Sequence, residues 1–219
     1  MSLYILFPLY LLLTMIKGIN WWFIAKKKEM TRVLVDGKMI PVTILQFQNQ
    51  VVLQYKTQDK DWYVTSVVAA GKKEKTLPSW KKKISYACVK EFTADTSRQE
   101  TQEVGVPMSI DESFEWKLVT LIAMSKGKGF QWVMKRHNAK WWPETHGSKF
   151  HRQIWSLWNR KPRRVMKNHP HAGHMWDERV LCKHIKIVSV ISDAEETLVL
   201  VKGSVPGSYN THVQVWLEG

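Results

Sequence analysis

Between Ser125 and Arg179 the chain carries thirteen of its thirty-three lysines and arginines but only three acids, Glu144, Asp177 and Glu178. This surplus supplies most of the formal net charge of +14. It cannot be folded into a core, because burying an unpaired ammonium or guanidinium costs more than packing returns. The segment must therefore lie at a surface and against an external polyanion. Its background of glycines and aromatics, rather than Ala, Leu and Glu, argues for backbone laid along an irregular surface and not for one solvated helix. Folded RNA fits that description best.

On either side of the basic stretch the pattern is that of β-structure. Arg32-Val33-Leu34-Val35 runs into Asp36-Gly37, a hairpin signal, and residues 39–47 alternate apolar and polar side chains. Residues 51–55 and 62–68 continue in the same style, and short β-rich runs return at 185–191, 197–201 and 212–216. Strands at both ends with a long polar middle predict a closed sheet interrupted by insertions. The expected division is a hydrophobic extension over 1–14, a closed sheet from 15–70 and 180–219, an inserted α+β segment over 71–124 and the basic extension over 125–179. The fold class is mainly β with an α+β insertion. No internal repeat is evident.

Several motifs point to other chemistry and fail on their own terms. Ser125-Lys126-Gly127-Lys128-Gly129-Phe130 resembles a phosphate-cradling loop but lacks Walker spacing and its Lys-Ser/Thr ending, so nucleotide hydrolysis is not expected. Six of the eight histidines fall between His137 and His174. His169, His171 and His174 invite a metal reading, yet no thiol or well-placed acid completes a site, so no metal or other cofactor is expected. Glu144, Asp177 and Glu178 are embedded in positive charge and suit orienting neighbouring arginines better than paired-carboxylate catalysis. Cys88 and Cys182 are far apart and in no paired motif, so neither a disulfide framework nor a thiolate zinc site is suggested. Lys72, Lys73, Lys81, Lys82 and Lys83 read equally as a solvated face or as RNA contacts.

The amino-terminal residues keep a membrane reading open. Residues 3–16 are mostly apolar, broken by Pro8, and Ile19-Asn20-Trp21-Trp22-Phe23-Ile24 follows Lys17. The first run is shorter than the roughly 20 residues a spanning helix needs, and bridging Lys17 places a charge inside the segment. A protein or membrane contact through residues 1–24 stays open. A membrane-tethered basic protein and a His-metal nuclease are the alternatives to an RNA-binding structural protein.

The order of residues adds a resemblance. Ser125 to Gln131, Lys135-Arg136-His137, Thr145-His146-Gly147-Ser148, His151-Arg152, Pro162, Arg164-Val165, Lys167, Ala172-Gly173-His174-Met175 and Glu178-Arg179-Val180 resemble the universal large-subunit ribosomal protein family conventionally numbered three. Met15 to Ile19, Lys26-Lys27, Met30-Thr31-Arg32 and Ile40 to Thr43 look like its opening strands, and Val201 to Gly207 looks like its closing turn. Because the family-like part begins at Met15, residues 1–14 read as sequence upstream of the true start or as an added segment packed on a neighbour, ahead of a membrane anchor. The resemblance implies a six-stranded β-barrel of the translation-protein kind and no enzymatic activity. It also implies a bacterial cytoplasmic ribosome, or one of a mitochondrion or plastid. Residues 125–179 would be the long extension that enters the large subunit, with its tip, Trp155 to Asn159, near the peptidyl transferase centre. Some bacterial members carry a methylated glutamine just after that tip, whereas Asn159-Arg160-Lys161 contains none.

The expected partners are large-subunit rRNA and neighbouring ribosomal proteins. Arg136, Arg152, Arg163 and Arg164 are expected to fork onto phosphates, because a planar guanidinium suits bidentate binding. Lys126, Lys128, Lys135, Lys149 and Lys167 would act as point charges. Hydrogen bonds to RNA are expected from His146, His151 and His174, with Trp155, Trp158, Asn159 and Arg179 completing the set. The extension is expected to be disordered alone and to order on RNA.

Where the family usually has glycine, this chain has Trp62, Trp132, Trp141, Trp155, Trp158 and Trp176, half of its twelve tryptophans. Two readings account for this. Either the rings stack on bases, or the gene belongs to a lineage that reads UGA as glycine. Replacements all of one kind favour the second.

Overall fold

The structure, a computed structural model, describes residues 22–73, 85–93, 103–108, 110, 112–154, 156–158, 160–192 and 196–217. The expectations for residues 1–21, Lys81, Lys82, Lys83, Trp155 and Asn159 lie outside these.

Trp22–Val35 (β1) and Lys38–Phe47 (β2) form the hairpin that Asp36-Gly37 announces, with Val35 opposite Lys38. Both turn residues have positive φ, 49° and 74°, the geometry a two-residue turn needs to match strand twist. Leu118–Met124 (β7), Arg179–Ser192 (β10), Thr197–Lys202 (β11) and His212–Leu217 (β12) join this hairpin. The order β1-β12-β7-β10-β11-β2 returns to β1, a closed ring of six strands, with every neighbouring pair antiparallel. Closure leaves none of these strands as a free edge.

A second sheet is built from Gln50–Lys56 (β3), Thr65–Lys73 (β4), Ser85–Thr93 (β5) and Pro107–Met108 (β6), in the order β5-β4-β3-β6. Thus β3, within the span 15–70, and β4, which runs across its end, pair outside the ring, whereas β7, within the span 71–124, is a ring strand. Between residues 71 and 124 the described helical structure is one 3-10 turn, Glu112–Phe114. A four-residue helix, Gln58–Asp61 (α1), connects β3 to β4.

Phe23, Leu45, Val119, Leu121, Val199, Val201, Val213 and Val215 are buried in one apolar cluster, and each large side chain removed from water contributes about 1.5–3 kcal/mol. Phe23 and Ile24 are core residues of β1, so the apolar character of that pair serves the fold. Trp22 stacks between Phe92 of β5 and Trp216 of β12, with ring centroids 5.0 and 5.4 Å away. Beside this stack, the Ile24 amide donates to Gln50 Oε1 at 2.7 Å and Gln50 Nε2 donates to the Ile24 carbonyl at 2.9 Å. One buried amide thereby satisfies both backbone groups of a ring residue from the second sheet.

The turn after β11 is held in a similar way. Lys27 Nζ donates to the carbonyls of Val205 and Gly207, and Thr43 Oγ1 donates to that of Gly203. Gly207 has φ +101° and its Cα lies where an added Cβ would meet the Met124 carbonyl at 3.1 Å. Glycine is therefore required there by conformation and by space.

Replacing Gln50 by leucine strands two buried backbone groups. Urea denaturation should register a loss of about 2–4 kcal/mol; a loss below about 0.5 kcal/mol, the scale of an ordinary surface substitution, would contradict this account of the sheet junction.

Candidate nucleic-acid interface

Residues 125–178 form a compact unit distinct from the ring and second sheet. Its two ends are zipped together. The Ser125 amide donates to the Glu178 carbonyl, Lys128 to Met175 and Met175 to Gly129, all within 3.0 Å. The Glu178 amide returns to Ser125 Oγ at 3.1 Å. Phe130–Gln131 (β8) then pairs with Gly173–His174 (β9). A single helical turn, Val133–His137 (α2), follows and ends at Asn138 with φ 52°. Asn tolerates this left-handed cap better than most residues. Val133 and Met134 are buried on its inner face, giving the unit a small apolar anchor.

Arg136 belongs to this anchor. It is half-buried, Nη1 donates to the His171 carbonyl at 2.9 Å, and a Cβ at position 173 would meet that nitrogen at 2.7 Å. Gly173 leaves room for the guanidinium to lie against the backbone. His137 Nε2 is 3.1 Å from the same His171 oxygen. Besides the phosphate contact expected from its charge, Arg136 is placed as a brace between the outgoing and returning limbs. Gly173 is the partner that sequence reasoning missed, because only the tertiary fold sets it beside Arg136.

Beyond residue 138 regular structure gives way to turns. The Trp142 amide donates to the His151 carbonyl at 3.2 Å, and His151 Nδ1 lies 3.2 Å from the Pro143 carbonyl. Lys126, Lys135, His146, Lys149, His151, Arg152, Trp158, Arg163, Arg164, Lys167, His174 and Arg179 are exposed, and Lys128 is half-buried. Lys128 Nζ sits 3.2 Å from the centroid of the Trp176 ring, and the Arg152 guanidinium lies 4.3 Å from that of Trp141. Among the described residues, none of the lysines or arginines from 125 to 179 takes part in an ion pair. No described acid neutralises their charge.

The histidines are dispersed in role. His169 and His171 rings are 5.4 Å apart, His174 packs edge-on to Phe130, and among the described residues no group of three His, Cys, Asp or Glu side chains is placed to hold a metal ion. No described helix is long and apolar enough to cross a membrane. Among the described residues, the arrangement offers a large cationic surface with hydrogen-bond donors.

Substituting Arg136 by alanine should raise amide exchange at Phe130, Gln131 and His174 several-fold while leaving β7 and β12 unchanged; unaltered exchange across residues 130–137 would remove the brace.

No family model matches the chain. Among curated proteins, it is 36% identical over 206 residues to the large ribosomal subunit protein uL3 of Streptococcus pyogenes serotype M1, covering 92% of this chain and 96% of that protein. The same identity and coverage hold for the uL3 protein of Streptococcus agalactiae serotype Ia. With that identity sustained along nearly its whole length, the chain belongs to the large ribosomal subunit protein uL3 family.

Proposed function

We propose that this protein is a structural constituent of the large subunit of a bacterial cytoplasmic ribosome, and not an enzyme, that binds large-subunit rRNA through residues 125–179. The supporting observation is the set of exposed, unpaired cations on one compact unit that has little core of its own. In this reading the closed ring is a barrel of the translation-protein kind that docks on the rRNA surface. The extension enters between RNA helices, supports subunit assembly and reaches toward the peptidyl transferase centre. Neighbouring ribosomal proteins complete its environment.

Roles within the extension differ. Arg152, Arg163 and Arg164 fork onto phosphates, while Lys126, Lys128, Lys135, Lys149 and Lys167 act as point charges that let adjacent RNA segments approach. Arg136 braces the limbs so that the neighbouring cations are presented together. His146, His151 and His174 donate or accept hydrogen bonds at RNA edges and sugars. Arg179 lies at the start of β10, where its Nη2 is 3.5 Å from Gln214 Oε1, and it contacts RNA at the base of the segment.

With roughly ten phosphate contacts, log affinity for large-subunit rRNA should fall against log salt with a slope of about −7 to −9. Replacing Arg163 and Arg164 together by alanine should make that slope shallower by about 1.5–2. A slope near zero would refute electrostatic binding by the extension. In the free protein, amides in 138–154 and 160–170 should exchange rapidly and become protected only on rRNA, whereas protection without RNA would contradict ordering on assembly.

A further inference from the structure

Among the described residues, ten that are not glycine have positive φ. Seven of them are Asp36, Asn138, His146, Asn168, Asp177, His184 and Asn210, the residue types whose short polar side chains tolerate this conformation. The other three are all tryptophan: Trp62 at φ 69°, Trp116 at 65° and Trp176 at 63°. A bulky aromatic gains nothing from the left-handed region, and tryptophans are only twelve of 219 residues. The demand must come from the surrounding chain.

Each site has the local structure that asks for glycine. Trp62 caps α1 in the left-handed conformation, and its amide donates to the Gln58 carbonyl at 3.2 Å. That is the helix-terminating position at which glycine is strongly enriched. The residue is 87% exposed, so burial does not account for a tryptophan there. Trp116 follows the 3-10 turn and donates its amide to the Ile187 carbonyl at 3.1 Å. Trp176 and Asp177 are consecutive left-handed residues in the returning limb of the extension, a pairing that normally contains glycine. Trp22 is the contrast: it lies in a strand, and its ring is stacked on both faces.

We infer that positions 62, 116 and 176 are occupied by glycine in the cell that makes this protein, their codons being UGA read as glycine. Trp116 lies outside the six tryptophans marked by family resemblance and is identified by its backbone alone. At Trp132, with φ −74°, and at Trp141 and Trp158 the backbone makes no such demand. The consequence for the extension is chemical. Glycine at 176 removes the ring that holds the Lys128 ammonium and exposes backbone, so RNA would meet a cation and peptide groups there instead of an indole.

The test is peptide sequencing by mass spectrometry of the protein purified from its native cells. Tryptic peptides 61–72, 99–117 and 168–179 report the three positions separately. The expected result is glycine in each, with every peptide lighter by the difference between tryptophan and glycine; tryptophan in any of the three overturns the inference. As a second arm, the full chain made in a host with the standard code, from a gene recoded with UGG at every tryptophan position, should gain denaturation midpoint on Trp62→Gly. A lowered midpoint would overturn the backbone argument. Both readouts are independent of whether the protein binds rRNA.

Discussion

The antiparallel pairing of β7 with β10 is the constraint on which the molecule depends. It places Arg179 opposite Met124 and carries on through Leu181–Ile122 and Cys182–Leu121 before the bulge ahead of Ile185. The same pairing closes part of the ring and brings the two ends of the basic segment side by side. A long cationic insertion is tolerated because the entropy of loop closure grows only slowly with loop length. The further bonds among Ser125, Lys128, Met175 and Glu178 then begin the insertion as a ladder. Glycine at 207 has no Cβ to meet the Met124 carbonyl at the end of β7.

Two parts of the chain accordingly obey different physics. The ring and second sheet are joined by hydrogen bonds of their own, among them the paired bonds between the Gln50 side chain and the Ile24 backbone. The basic unit buries little beyond Val133 and Met134 on its helix, and among the described residues none of its cations is paired with an acid. Repulsion among them opposes compaction and is relieved when a polyanion replaces their counterions. Membership of the uL3 family gives that polyanion an identity in the proposed function, while the unpaired charge explains why any such partner is needed.

Much of this was legible in the sequence, for identifiable reasons. Asp36-Gly37 between alternating strands specified its hairpin, and the charge surplus marked residues 125–179 without reference to structure. Leu118–Met124 was harder to assign because five consecutive residues, Val119 to Ala123, are buried, so the strand lacks the alternation that reveals a half-exposed one. The start of β10 was obscured by the bulge at Lys183-His184, where His184 has φ 55°. Arg136 looked like any other exposed arginine, since its burial depends on Gly173, distant in sequence. Trp116 gave no sequence signal at all. Its importance follows only from a backbone angle.

The central claim, that this is an integral component of the large ribosomal subunit held by RNA, is tested most directly by sedimenting the tagged protein from lysate through a high-salt gradient and probing the fractions for large-subunit rRNA. The account predicts co-migration with the large subunit that survives salt and collapses after ribonuclease digestion. Migration as free protein or with membranes before digestion would contradict it.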